Sequence, residues 1–138
     1  MVVTREIRLE TKGHTDVVPL TEQVAAILKE SGLSSGLVCL FLPGTTATLT
    51  TTEFEPGLVK DIKDFWERIA PVEHFYEHNA RWHDGNGYAH VRAQCSGPSL
   101  VLPFVEGKLL LGTWQDIVLV DFDNRPRSRT VIVQIMGE

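Results

Sequence analysis

Four of the five histidines fall between positions 74 and 90, at His74, His78, His83 and His90, in a stretch that also holds Glu77, Asp84 and Asn86. Imidazole titrates near neutral pH and is the commonest side-chain ligand of transition metals, so this cluster can move protons or bind a divalent cation. Any one of these rings is more often a solvated loop residue than a functional group; the cluster as a whole points to function. His74-Phe75-Tyr76-Glu77-His78 also spells H-x-x-E-H, the pattern of inverted zinc proteases. That chemistry needs both imidazoles one turn apart on a stable helix. Pro71 before the segment and the Asp84-Gly85-Asn86-Gly87 turn after it argue against one.

A second group is Arg125, Arg127 and Arg129. Guanidinium forks match phosphate oxygens, although three arginines beside a turn also make an ordinary solvated basic corner. Ser96-Gly97-Pro98-Ser99 offers hydroxyls and backbone N–H groups to an anion, or is simply a turn before a strand. Gly85-Asn86-Gly87 lacks the third glycine and the strand–turn–helix setting of a dinucleotide site. Trp114 is either a core aromatic or a stacking wall.

These residues need a scaffold, and the hydrophobic pattern supplies one. Residues 3–11 alternate as a strand, with a slip in phase near Glu6. Thr21 as N-cap, Glu22 and Gln23 in the first turn and Ser31-Gly32 as a stop predict a helix over Glu22–Lys29. Residues 37–42 are an unbroken apolar run, which predicts a strand covered on both faces. The threonines of Thr45–Thr52 favour an extended surface with hydroxyls on one side. A second helix starts near Pro56 and stops at Pro71. Its Leu58, Ile62, Phe65, Trp66 and Ile69 predict a broad buried face. The segment Glu73–Gln94 is polar, aromatic and histidine-rich, with Asp84-Gly85-Asn86-Gly87 as a clear turn. Strands then follow at Ser99–Val105, Lys108–Leu111, Gln115–Asp121 and Arg129–Met136, with a hairpin at Glu106-Gly107. Two main helices with a mixed, largely antiparallel sheet or sandwich is an α+β pattern.

The chain has 138 residues, 43% of them apolar and 22% charged, with a formal net charge of −5. That length holds one core, so residues 1–138 are expected to form a single domain. The acidic balance opposes a nucleic-acid surface. No segment has the length and apolarity of a membrane span or a signal peptide, which predicts a cytoplasmic protein. Cys39 and Cys95 lie in or beside apolar runs and read as two buried thiols rather than a disulfide.

Taken in order, several segments resemble the secondary thiamine-phosphate synthase (YjbQ-like) family. They are Gly44-Thr45-Thr46-Ala47-Thr48-Leu49-Thr50 through Glu53, then Asp61, Tyr76-Glu77-His78, His90 and Gly97-Pro98-Ser99-Leu100-Val101-Leu102-Pro103. Gly107, Leu111-Gly112-Thr113-Trp114-Gln115-Asp116-Ile117 and Arg127-x-Arg129 complete the set, which covers nearly the whole chain. The L-G-T-W-Q piece is the most specific. The resemblance implies a homotrimer with a pocket of histidines and carboxylates able to hold a divalent metal, zinc or similar. It also implies an activity that joins an aminopyrimidine diphosphate to a thiazole phosphate and releases pyrophosphate. Carried onto this sequence, His78 and His90 become metal ligands or acid/base groups, with Asp84 and Glu53 orienting or ligating. Ser99, Arg127 and Arg129 become contacts for a small phosphorylated metabolite.

The pattern breaks in one place. Gly44 stands where the family usually has a histidine, Thr52 and Phe54 stand where asparagines flank the glutamate, and the stretch after Glu53 is one residue short. A site with two of three imidazoles binds metal more weakly unless His83 or His74 fills the gap. The same scaffold would also serve a non-catalytic metabolite- or anion-binding oligomer, or a small metallohydrolase. No organic cofactor is implied.

Overall fold

The structure, a computed structural model, describes residues 1–138. Its elements are β1 (Val2–Thr11), β2 (Asp16–Pro19), α1 (Thr21–Ser31), β3 (Ser35–Phe41), β4 (Ala47–Thr52) and α2 (Pro56–Ile69). They continue with α3 (Glu77–Trp82), α4 (Gly87–Ser96), β5 (Ser99–Val105), β6 (Lys108–Leu109), β7 (Asp116–Asp121) and β8 (Arg127–Gly137). A five-stranded sheet in the order β1-β8-β3-β5-β6 faces a three-stranded sheet in the order β2-β7-β4, and every pairing is antiparallel. The α+β expectation holds.

One apolar layer lies between the sheets. Val38 and Leu40 of β3, Phe104 of β5 and Val131, Val133 and Ile135 of β8 meet Leu49 of β4 and Ile117 and Leu119 of β7 there. Val24 and Leu28 of α1 close one end of that layer. The other side of the three-stranded sheet packs Val118, Val120 and Phe122 against Tyr88, Ala89 and Ala93 of α4. β7 is therefore buried on both faces, as its unbroken apolar run requires. Arg92 of α4 is buried between the Tyr88 and Phe122 rings; it donates to Thr15 Oγ1, the Ala70 carbonyl and Glu67, which fastens α2 to α4.

Several local expectations need correction. β1 keeps one phase throughout: Val3, Ile7, Leu9 and Thr11 point inward, and the apparent slip is Arg5, which takes an inward position on an edge strand and stays exposed. Thr21 does not cap α1; its hydroxyl donates to Asp116 Oδ1 and accepts from the Ile117 N–H, so it ties the helix start to β7. α2 buries none of its residues, although its apolar face lies over the threonines of β4. The run in β3 is covered on one face only, leaving Leu37 and Phe41 more than two-fifths exposed. Cys39 is half-buried and Cys95 exposed, and both are free thiols.

The largest addition to the two expected helices lies in the histidine-rich segment, which contains the short helices α3 and α4 on either side of its turn. His74 lies outside α3, so the H-x-x-E-H residues never share a helix. The Glu106-Gly107 hairpin forms as expected, both residues having positive φ, 52° and 69°. No helix is long and apolar enough to cross a membrane.

Candidate functional site

β7 ends at Asp121, and Phe122-Asp123 follow it, so a carboxylate, a core aromatic and a second carboxylate alternate there. Both carboxylates are fully buried. β8 then brings back Arg127 and Arg129, which share a face because they are two residues apart on a strand. Arg129 donates from Nε to Asp121 Oδ2 at 2.7 Å and from Nη2 to Asp121 Oδ1 at 3.0 Å and Thr46 Oγ1 at 2.7 Å. Arg127 donates from Nε to Asp123 Oδ2 at 2.9 Å, with Nη2 at 2.8 Å from the same oxygen. Thr11 and Thr46 complete the ring by donating to Asp121 at 2.6 Å and Asp123 at 2.8 Å. Two buried anions thus face two cations of fixed direction. Neither Nη1 makes a hydrogen bond; that of Arg129 lies 3.1 Å from where a Cβ on Gly44 would stand.

Burial alone would raise the Asp123 carboxyl. Hydrogen bonds from Thr46, the Asn124 N–H, Asn86 and Arg127 outweigh it and hold the group below the ordinary aspartate value.

The imidazoles stand on the opposite wall. α3 and α4 join through the Asp84–Asn86 bend, and Gly87 fits there because a Cβ would come within 2.8 Å of Tyr76 Cβ. This turn lays the His78 and His90 rings 4.4 Å apart, centroid to centroid, and tilted by 41°. His78 Nδ1 is buried without a hydrogen-bond partner, and Asp84 Oδ1 stands 3.4 Å from it. The Asn86 amide bridges the two walls. Its nitrogen donates to Asp123 Oδ1 at 3.3 Å, or, turned about its terminal bond, to Asp84 Oδ1 at 3.0 Å. The cleft between the walls has a volume of about 400 Å³ and is lined by Gly44–Thr46, His78, Trp82, Asp84, Asn86, His90, Arg127 and Arg129.

Burial, and secondarily the neighbouring His78, lowers the His90 pKa below 6.5, outweighing the upward pull of Asp123 and Asp84. His90 is expected to titrate below 6.5 in an NMR pH series. His78→Gln should move its midpoint up only part of the way, because burial remains; a wild-type midpoint at or above 6.5 would contradict the geometry.

Of the residues the sequence singles out, His78, His90, Asp84, Arg127 and Arg129 converge on this cleft. Glu53 does not line it. It lies exposed between β4 and α2, while the neighbouring Glu55 caps α2 by accepting from the Gly57 and Leu58 N–H groups. Ser99 is exposed at the start of β5, opposite Phe41. His74 packs edge-on against Tyr76, His83 ends α3, and neither fills the position left by Gly44. Trp114 is 74% exposed. Sequence reasoning named Asn86 beside the histidines and Thr46 within a family segment, but missed Asp121 and Asp123. Their signal was present: carboxylates two residues apart closing a strand too apolar to expose them.

A family model described as UPF0047 protein YjbQ-like matches residues 5–138. The chain belongs to the YjbQ-like (UPF0047) family. A UPF0047 protein from Archaeoglobus fulgidus is 38% identical over 131 residues, covering 95% of this chain and 99% of the relative. YugU of Bacillus subtilis, also a UPF0047 protein, is 33% identical, with 96% and 98% covered. Among solved structures, a YbjQ-like protein of unknown function from Sulfolobus solfataricus superposes with a TM-score of 0.94 at 34% identity, covering 100% of this chain and 99% of that one. A YjbQ/UPF0047 protein from Clostridium acetobutylicum gives 0.88 at 34% identity, with 96% and 99% covered.

Whether this YjbQ-like site fits a metal is decided by its donors. No three His, Cys, Asp or Glu side chains stand close enough together to hold an ion. Catalytic zinc sites use three protein ligands; here two imidazoles tilted by 41°, with Asp84 beside His78, face a fixed ion-pair network.

Proposed function

We propose that the cleft binds a small phosphorylated metabolite, with Arg127 and Arg129 holding the phosphate and His78 and His90 serving proton transfer. The carrying observation is the pair of guanidinium groups. Buried carboxylates fix their direction, each keeps Nη1 uncommitted, and both line the cleft that holds the imidazoles. Donors set in place before a ligand arrives lose little freedom when it binds.

The more specific form of this reading is the thiamine-phosphate-synthase-type transfer. The carbon–oxygen bond to a diphosphate breaks, the thiazole nitrogen takes the carbon, and pyrophosphate departs. The main requirement is stabilisation of the leaving charge, which Arg127 and Arg129 would provide. The incomplete metal donor set favours a second reading, an anion-binding oligomer without turnover. Self-association suits the open face of the five-stranded sheet, where Leu37, Phe41, Val101, Val105 and Met136 are exposed together. A homotrimer, as the resemblance implies, is the proposed assembly.

Calorimetry with inorganic pyrophosphate tests the site. Wild type is expected to bind it, and Arg127→Ala to weaken binding at least tenfold while the protein stays folded; equal affinities would sink the assignment. Product analysis with the pyrimidine diphosphate and thiazole phosphate then separates transferase from binding protein. Elemental analysis of tag-free protein prepared without chelator is expected to find far less than one metal ion per chain. One ion per chain, lost in His78→Ala/His90→Ala, would overturn the metal-free reading.

A further inference from the structure

His90, Gly44 and Thr45 do not line one cleft but two. On the far side of them from the arginines lies a second cavity of about 340 Å³. Its remaining walls are Ala47 from β4, Ala93 and Gln94 from α4, and Gly97-Pro98 from the turn into β5. None of these lining residues is an Asp, Glu, Lys or Arg, whereas the first cavity has two arginines and an aspartate in its wall. The two lobes therefore differ sharply in chemistry while sharing an edge.

Gly44 is part of that edge. With φ at +143° the residue has a backbone conformation that side chains rarely adopt, and the only atom a Cβ there would approach is Arg129 Nη1, at 3.1 Å. Any larger side chain would stand at the boundary between the two lobes, beside the uncommitted arginine donor. Glycine puts no side chain at that boundary. Gly97 on the far wall also has a positive φ, and nothing lies within 4 Å of its would-be Cβ, so that side of the second lobe is open.

We infer that Gly44 joins the two cavities into one two-part site, which takes a ligand with an anionic phosphate head and a compact uncharged body lying over Gly44 against Ala47, Ala93, Gln94 and Pro98. This rests on the phosphate reading of the first cavity and adds where specificity for the rest of the ligand resides. Gly44 and Gln94 are its specificity-determining positions. The second lobe carries no fixed charge to discriminate against an uncharged group, and its mostly carbon walls favour removing such a group from water.

The test compares three probes by calorimetry at fixed pH and salt: inorganic pyrophosphate, methyl phosphate and benzyl phosphate. Benzyl phosphate is expected to bind at least tenfold more tightly than methyl phosphate. Gln94→Phe places bulk in the second lobe from an exposed helix position and should abolish that preference. Gly44→Ser should do the same at the boundary, with thermal melts checking the fold because its backbone is strained for a side chain. Pyrophosphate binding with no preference for benzyl over methyl phosphate would overturn the two-part site and leave the phosphate reading standing. A preference that persists in a folded Gln94→Phe protein would overturn the placement of the body. Failure of all three probes to bind would remove the phosphate reading and this inference with it.

Discussion

Replacing Arg129 with methionine is expected to destabilise the protein by about 3–5 kcal/mol at pH 7, the cost of breaking a buried ion pair from one side. Methionine keeps the unbranched stem, so packing along the side chain changes little. What changes is Asp121. Its two oxygens lose both guanidinium bonds and keep only the Thr11 hydroxyl and the Asp123 N–H. Asp121 is completely buried, and the Arg129 side chain is only 9% exposed, so water cannot replace what is lost. Urea unfolding would measure the difference. Asp121→Asn combined with Arg129→Met should recover part of it, because the pair is then removed without leaving a lone charge. A loss below about 1 kcal/mol in the single variant would mean the pair behaves like an exposed salt bridge.

That pair also shows where sequence reasoning reached and where it stopped. Period-two alternation and turn residues marked most strands, and Gly32 ends α1 in the left-handed conformation as its sequence signalled. The apolar run of β3 was legible as a strand. Its second, exposed face was not, because a run of that kind does not say whether cover comes from the same chain or from another. α2 shows the converse. Its apolar stripe is real, but the β4 surface beneath it carries threonines, and the stripe is only half-buried, with Val59 and Trp66 reaching the core beside Phe122. α4 was hidden because Gly87-Tyr88-Ala89-His90 reads as a turn and an aromatic, histidine-rich stretch. It is held as a helix by tertiary contacts, with Tyr88, Ala89 and Ala93 packed on β7 and Phe122.

For the site, the histidines were visible by clustering, and Arg127 and Arg129 by spacing and resemblance. The functional geometry, however, belongs to partners far apart in sequence. Thr11 meets Asp121 across 110 positions and Thr46 meets Asp123 across 77. The pairing of β4 with β7, which sets Ala47 opposite Asp121, carries Thr46 to Asp123, and the antiparallel return of β8 beside β1, with Thr11 opposite Arg127, carries Thr11 to the same corner. Glu53 shows the opposite limit. A residue carried over from a family pattern can stand outside the pocket it was expected to line, and Glu53 lies exposed between β4 and α2.

Asp123→Asn should cost about 3 kcal/mol at neutral pH, and that cost should shrink in acid. The native carboxylate accepts from Thr46, Asn86, Arg127 and the Asn124 N–H, four donors converging on two oxygens. An asparagine must turn an NH2 group toward some of these donors and gives Arg127 no counter-charge. The sign of the pH dependence follows from the direction of the shift. These donors hold the folded-state value below the ordinary 3.8, so the unfolded chain takes up a proton first as pH falls. The stabilisation is therefore complete above the unfolded-state value, and it declines as pH drops through about 4 toward the folded-state value. The Asp123→Asn variant has no carboxyl at this position to take up a proton in that range. Thermal melts of wild type and variant between pH 7 and pH 3 should converge from the neutral side. A gap that stays constant across the range would show that shape and packing, rather than the charge on Asp123, hold this corner together.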